Sequence, residues 1–234
     1  MAKKLQESSA TEQFVDHLKY PKYSLILEPS PFRELAEIPS AALVELLAKD
    51  DIVETLKDTR LQNRSALGWQ ERQNSPLVHE FFAAIETCER ANPTIRLRPA
   101  IAGDETASII LRPQGKGAGI ESDKIRLLAE RTLALGEAVP AVLTAFIPRL
   151  LAAADATDQR LADLLQTERA LRLARLNLRQ AKVGALDALA QLRAELTRLF
   201  PRNREFVNQF FLPIDYGRET KDDENQGPET PPSA

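Results

Sequence analysis

The stretch ATDQRLADLLQTERALRLARLNLRQAKVGALDALAQLRAELTRL (residues 156–199) is predicted to decide the fold, because an apolar residue, leucine at five of six positions, recurs in it every seven residues. The recurrence comprises Leu164, Leu171, Leu178, Ala185, Leu192 and Leu199. A heptad repeat of this kind indicates a long helix that packs closely against another helix. One helix over this stretch would be about 65 Å long, whereas a compact domain of this size has a radius of gyration of about 17 Å. We therefore expect it to pair with residues 122–153 in a hairpin, or to pack against a second copy of the chain.

The same stretch contains a basic strip, RALRLARLNLRQAK (residues 169–182), with five basic side chains and no acidic one. Helical spacing places the basic residues on one face; they are Arg169, Arg172, Arg175, Arg179 and Lys182. In one interpretation their stems flank the leucine seam, and Glu168 pairs with Arg172. In the other, the strip neutralises nucleic-acid phosphates. Residues 147–199 contain no aromatic side chain for base stacking, and no nucleic-acid-binding motif accompanies them.

Composition limits the classes of protein to which the chain can belong. Hydrophobic residues make up 43% of the 234 residues and charged residues 28%, which is typical of a soluble globular protein. A net charge of -3 gives no general attraction to nucleic acid or anionic membranes. The single cysteine, Cys88, excludes an internal disulfide and indicates a reducing compartment. The most apolar stretch, residues 138–154, contains Pro140, Pro148 and Arg149 and is shorter than the roughly 20 apolar residues of a membrane span. We expect a cytoplasmic protein without a membrane partner.

Proline, glycine and charge divide the chain into five segments. Residues 1–12 are expected to be a flexible N-terminus, and residues 13–93 an irregular and then helical part. Prolines at 21, 29, 31 and 39 are expected to prevent a long helix over residues 13–38, and Ser75-Pro76 is expected to start a new helix. Asp155, Thr157 and Asp158 are expected to cap another helix start. Residues 122–214 should form the long-helix hairpin or bundle, and residues 215–234 a disordered acidic tail.

Residues 94–121 are predicted to form a β-hairpin and a glycine-rich loop. The segment TIRLRP (residues 94–99) recurs as SIILRP (residues 108–113), and each copy alternates apolar and polar side chains before a proline. GKGAG (residues 115–119) follows, with a spacing that differs from that of a phosphate-binding loop. The predicted fold class is therefore mainly α: a helical bundle with a long C-terminal helical hairpin and a small β-hairpin insertion.

Candidate catalytic residues are scarce. The two histidines, His17 and His79, belong to no metal-binding or catalytic motif, and Cys88 lies nine residues after His79, on the opposite face of a predicted helix. We expect no catalytic site, no cofactor and no metal, and hence no enzyme. An enzyme that uses GKGAG to bind a phosphorylated ligand is the third alternative.

The preferred prediction is a non-enzymatic interaction or scaffold protein that acts by helix packing, with itself or with a protein partner. Its candidate interaction residues are Leu164, Leu171, Leu178, Leu192, Leu199, Phe206 and Phe210. The phenylalanines could instead dock into the chain's own core, with Phe81 and Phe82 as receiving side chains. The alternative is a nucleic-acid-associated protein that binds through residues 169–182.

Overall fold

A computed structural model of the chain describes residues 10–28, 32–103 and 119–212, and all regular secondary structure in these ranges is helical. The mainly α-helical fold class is thereby confirmed. The helices are α1 (Thr11–Ile26), α2 (Phe32–Leu35), α3 (Glu37–Ala91), α4 (Ser122–Ala134), α5 (Ala141–Thr144), α6 (Ile147–Leu199) and α7 (Arg204–Asn208). Residues 97–103 are also helical, and Gly136–Ala138 form a 3₁₀ turn. The predicted tail at residues 215–234 lies outside the described ranges.

The chain forms two compact units, and α3 and α6 contribute residues to both of them. Unit 1 consists of the described parts of Met1–Val53 and Ala174–Ala234, and unit 2 of those within Glu54–Leu173. Unit 1 contains two hydrophobic clusters. The first comprises Phe14, Leu18, Leu43, Leu46, Ala181 and Ala185, and the second comprises Leu25, Ala36, Leu192, Leu196, Val207 and Phe210. Since α1 meets α6 first near residue 181 and later near residue 192, the two helices run parallel in unit 1.

Unit 2 is built on an antiparallel pairing of α3 with α6. Asn63 bonds to Thr167, whereas Asn74, further along α3, bonds to Thr157, which comes earlier in α6. The core beside this pair contains Val78, Phe81, Phe82, Ile85, Ile125, Leu128, Leu143, Phe146 and Leu150, among others. Residues 122–153 therefore pack within the same chain. Residues 122–146 cover α3 and the first part of α6, which begins at Ile147, and the antiparallel neighbour of α6 is α3.

Several prolines and capping residues lie inside helices that were expected to break there. α1 continues through Pro21, although an internal proline costs about 3 kcal/mol. The helix forms because Phe14, Leu18 and Leu25 are fully buried, at about 1.5–3 kcal/mol each. Likewise, α3 continues through Pro76 and α6 through residues 155–158, so the helix starts predicted there are wrong. Thr11 and Glu12, which were expected to be flexible, lie in the first turn of α1, and Thr11 Oγ1 donates to Asp50 Oδ1 at 3.0 Å.

The predicted β-hairpin is wrong where the chain is described. Residues 93 and 94 form a turn, in which Thr94 Oγ1 donates to Asn92 Oδ1 at 2.7 Å, and residues 97–103 are helical. Leu97 and Ile101 are both buried and four residues apart, a helical spacing that the alternating pattern also satisfies. Pro99 falls in the first helical turn, where a backbone N–H has no intrahelical partner to lose. The second copy of the repeat, residues 108–113, and residues 115–118 of GKGAG lie outside the described residues.

Candidate interaction surface

The leucine seam of α6 is mostly covered by the chain's own helices. Leu171 is 2% exposed and Leu192 is fully buried, while Leu164 and Leu178 are half-buried and Leu199 is exposed. In unit 1, Leu178 packs beside Leu43 and Leu46 of α3, and Leu192 packs among Leu25 and Phe210. The candidate interaction residues Leu171 and Leu192 are therefore used for internal packing.

Two asparagine–threonine pairs join α3 to α6 in unit 2. Asn63 Nδ2 donates to Thr167 Oγ1 at 2.8 Å, and Asn74 Nδ2 donates to Thr157 Oγ1 at 2.9 Å. Each threonine hydroxyl donates in turn to the carbonyl four residues earlier, Asp163 or Ala153. The asparagines are 11 residues apart (74 − 63), or about three helical turns. Such buried polar pairs favour one register, because any slip leaves an amide unsatisfied. These pairs were not predicted from the sequence, where the 11-residue spacing of the two asparagines was the one available signal.

Gly119, the one described glycine of GKGAG, lies where the chain crosses α3. Ile120 N–H donates to the Glu71 carbonyl at 2.9 Å, and the Ile120 carbonyl accepts from Asn74 Nδ2 at 3.0 Å. A methyl group at position 119 would overlap Glu71 Cβ. Glycine is therefore required at position 119 for close approach of the backbone. The close packing of Gly119 against α3 therefore explains the presence of glycine at this position without a bound phosphate.

Away from the seam, α6 presents exposed leucines within unit 2. Leu161, Leu165 and Leu173 are 41%, 45% and 60% exposed. Together with the exposed Arg169 they are spaced by four residues, so they form one i, i+4 row on the helix surface. We call Leu161, Leu165, Arg169 and Leu173 the leucine–arginine ridge; it extends about 18 Å along α6. Leu165 and Leu173 lie outside the heptad positions, so the leucine periodicity did not predict this row.

The basic strip is divided between the two units, and its members differ in their surroundings. Arg169 and Arg172 are exposed in unit 2, and Arg175 and Arg179 are exposed in unit 1. Lys182 is half-buried, with Nζ 5.6 Å from the centre of the Phe14 ring. Burial lowers the pKa of Lys182, and the nearby charge of Asp50 opposes that shift. Lys182 therefore belongs to the packing of unit 1.

The acidic partner expected within the strip lies elsewhere. Glu168 Oε1 is 3.6 Å from Arg60 Nε of α3, so Glu168 pairs across the two helices of unit 2. The expected pairing with Arg172 is not among the ion pairs of the described residues. Exposed ion pairs of this kind contribute about 0–1 kcal/mol. The consequence is mainly electrostatic: Arg169 and Arg172 contribute positive charge beside the exposed leucines of α6.

The C-terminal phenylalanines lie in the core of unit 1. Phe210 is buried and Phe206 half-buried, and both rings lie near Phe32, with centroids 6.2 and 6.4 Å from it. Phe200 contacts Phe206 edge-on at 4.9 Å. The receiving rings are therefore Phe32 and Phe200, rather than the Phe81 and Phe82 that were expected. The two candidate anchors are thus covered by the chain itself.

The described residues contain no assembled metal-binding centre. They contain no group of three or more histidine, cysteine, aspartate or glutamate side chains placed to hold a metal ion.

Burial lowers the pKa of His17, and Asp16 opposes that shift. Arg126 Nη2 pairs with Asp155 and Asp158 at 2.8 and 2.6 Å and so ties α4 to α6. None of the helices in the described ranges has an apolar stretch sufficient to cross a membrane.

Comparisons of the chain with protein-family models, with curated proteins and with solved structures found no match.

Proposed function

We propose that the chain is a non-enzymatic interaction protein whose unit 2 binds a helix of a protein partner through the leucine–arginine ridge. The observation that carries the proposal is the exposure of three leucines in one i, i+4 row, on a helix whose other apolar face is already packed. Rows of this kind fit into the groove between the corresponding rows of a second helix. Exposed aliphatic side chains grouped in this way are typical of interaction sites.

A partner of different sequence explains the charge of the ridge better than a second copy does. Arg169 of the ridge and the neighbouring Arg172 are both exposed, while the nearest carboxylate along α6, Glu168, pairs with Arg60. A second copy joined through the same ridge would bring two more arginines and no ridge carboxylate, so like charges would oppose association. In light scattering we therefore expect the isolated chain to have its monomer mass of 26.1 kDa.

Site-specific photo-crosslinking in the source cell tests the proposal. A photoreactive amino acid at position 165 should give one discrete adduct, whereas the same group at Glu130, an exposed position of α4, should not. The crosslinked protein, identified and purified, should then bind the native chain with one-to-one stoichiometry. Leu165→Asp should weaken that binding at least about tenfold, and Glu130→Gln should leave it unchanged. Equal crosslinking at both positions, or full binding by Leu165→Asp, would overturn the proposal.

The exposed arginines of α6 favour nucleic-acid association as a second candidate function. Arg172 is exposed in unit 2, and Arg175 and Arg179 are exposed in unit 1; the helical spacing of the three residues predicts one face. This function predicts a gel shift with a random-sequence duplex at low salt that weakens steeply as salt is added. Replacement of these three arginines by glutamine should abolish the shift, while Leu165→Asp should leave it intact. Absence of any shift at low salt would dispose of this candidate.

A further inference from the structure

We infer that the partner of the leucine–arginine ridge is an acidic amphipathic helix, with a carboxylate placed between apolar residues; this inference rests on the proposed function. Leu161 and Leu165 precede Arg169 in the ridge, and Leu173 follows it. A helix that covers the row must therefore offer apolar side chains at both ends of the contact and accommodate a guanidinium near the middle.

The position and the charge of Arg169 determine which side chain the partner helix must place opposite it. Arg169 has leucines one helical turn before and after it, so covering the ridge would remove much of the water around its guanidinium. A buried charge that lacks a partner is strongly unfavourable, and a carboxylate satisfies arginine through paired hydrogen bonds. The exposed Arg172 is three residues further along the helix and can pair with a second carboxylate at the edge of the same contact.

Nucleic acid fits this ridge less well than an acidic helix does. Leucines that are 41–60% exposed on both sides of Arg169 would lie against phosphates and would remain without apolar contacts. The part of α6 within unit 2 also contains no aromatic side chain on which a base could stack. An acidic helix satisfies the leucines and the arginines together.

A charge-reversal experiment with designed peptides tests the inference. The probe is a capped 18-residue helical peptide, fluorescently labelled, with leucines at i, i+4 and i+12, glutamate at i+8 and a polar remaining surface. We expect it to bind the full-length chain in an anisotropy titration. Arg169→Glu should weaken binding of this peptide at least about tenfold. The Arg169→Glu chain should bind a second peptide, with lysine at i+8, more tightly than the native chain does. Arg72→Glu, at an exposed position of α3, is the matched control and should change neither affinity.

Each outcome either supports or overturns the inference. Reciprocal preference of the two chains for the two peptides supports it, because general unfolding would weaken both interactions. If the native chain binds neither peptide, or binds the glutamate and lysine peptides equally, the acidic-helix inference is overturned. The proposed function survives that result if position 165 still crosslinks to a partner, and it fails if crosslinking is also absent. Binding of an oligonucleotide that depends on Arg169 but not on Leu165 would replace the acidic helix with nucleic acid.

Discussion

Replacement of Asn74 by alanine should destabilise unit 2 more than any other single amide deletion between α3 and α6. Asn74 is 1% exposed, and its amide donates to the Ile120 carbonyl at 3.0 Å and to Thr157 Oγ1 at 2.9 Å. Each net hydrogen bond contributes about 1 kcal/mol, and a buried carbonyl left without a donor costs about 1–3 kcal/mol. Thr157 keeps its own bond to Ala153, so most of the loss falls on Ile120. We expect a loss of about 2–4 kcal/mol.

Asn63→Ala is the matched control for this prediction. Asn63 is only half-buried and makes one short bond, to Thr167 Oγ1 at 2.8 Å, so its loss should cost about 1 kcal/mol. Urea unfolding followed by the fluorescence of Trp69, the only tryptophan of the chain, reports on unit 2. An Asn74→Ala variant within about 0.5 kcal/mol of the native chain, or one more stable than Asn63→Ala, would refute the reasoning.

Three further predictions concern glycine, histidine and phenylalanine. Gly119→Ala should lower the free energy of unfolding by about 1–3 kcal/mol, because its methyl group would overlap Glu71 Cβ. Gly184→Ala, in open space on α6, should raise it by about 1 kcal/mol. Equal urea midpoints for the two variants would contradict this prediction. Because burial lowers the pKa of His17 from its usual 6.5, its contribution to stability is fully present above pH 6.5 and is lost as the pH falls from there through the lower pKa of the folded chain. Unfolding between about pH 7 and 5 should show a smaller decline for His17→Gln. Phe210→Ala should cost about 3–5 kcal/mol in thermal unfolding, and an unchanged melting temperature would mean that Phe210 is not a core residue.

The sequence predicted the helical character of the chain and the long helix before Pro201, because leucine, alanine, arginine and glutamate favour helix both locally and in periodic packing. The helix break predicted at Pro21 and the helix start predicted at Pro76 were wrong, because the local cost of a proline competes with the burial of residues distant in sequence. Phe14 and Leu18 contact residues near position 181, and no local rule could weigh that gain. The β-hairpin failed for a related reason, since Leu97 and Ile101 fit both strand and helix spacing.

The candidate surface was less predictable than the fold. A heptad repeat identifies an apolar face but leaves open whether that face packs within the chain or against another molecule. Leu171 and Leu164 belong to one repeat, yet the first is buried and the second only half-buried. Leu165 lies outside the repeat, and its exposure follows from the tertiary packing of α6 against α3, which the sequence pattern does not specify.

The central claim is that the seam leucines stabilise the chain, whereas the ridge leucines remain available for binding. Urea unfolding of Leu171→Ala and Leu165→Ala, measured side by side, tests it most directly. Leu171 is 2% exposed, so its truncation should cost about 2–5 kcal/mol. Leu165 is 45% exposed, and its truncation should change stability by less than about 1 kcal/mol. Equal losses for the two variants, or a larger loss for Leu165→Ala, would contradict the account.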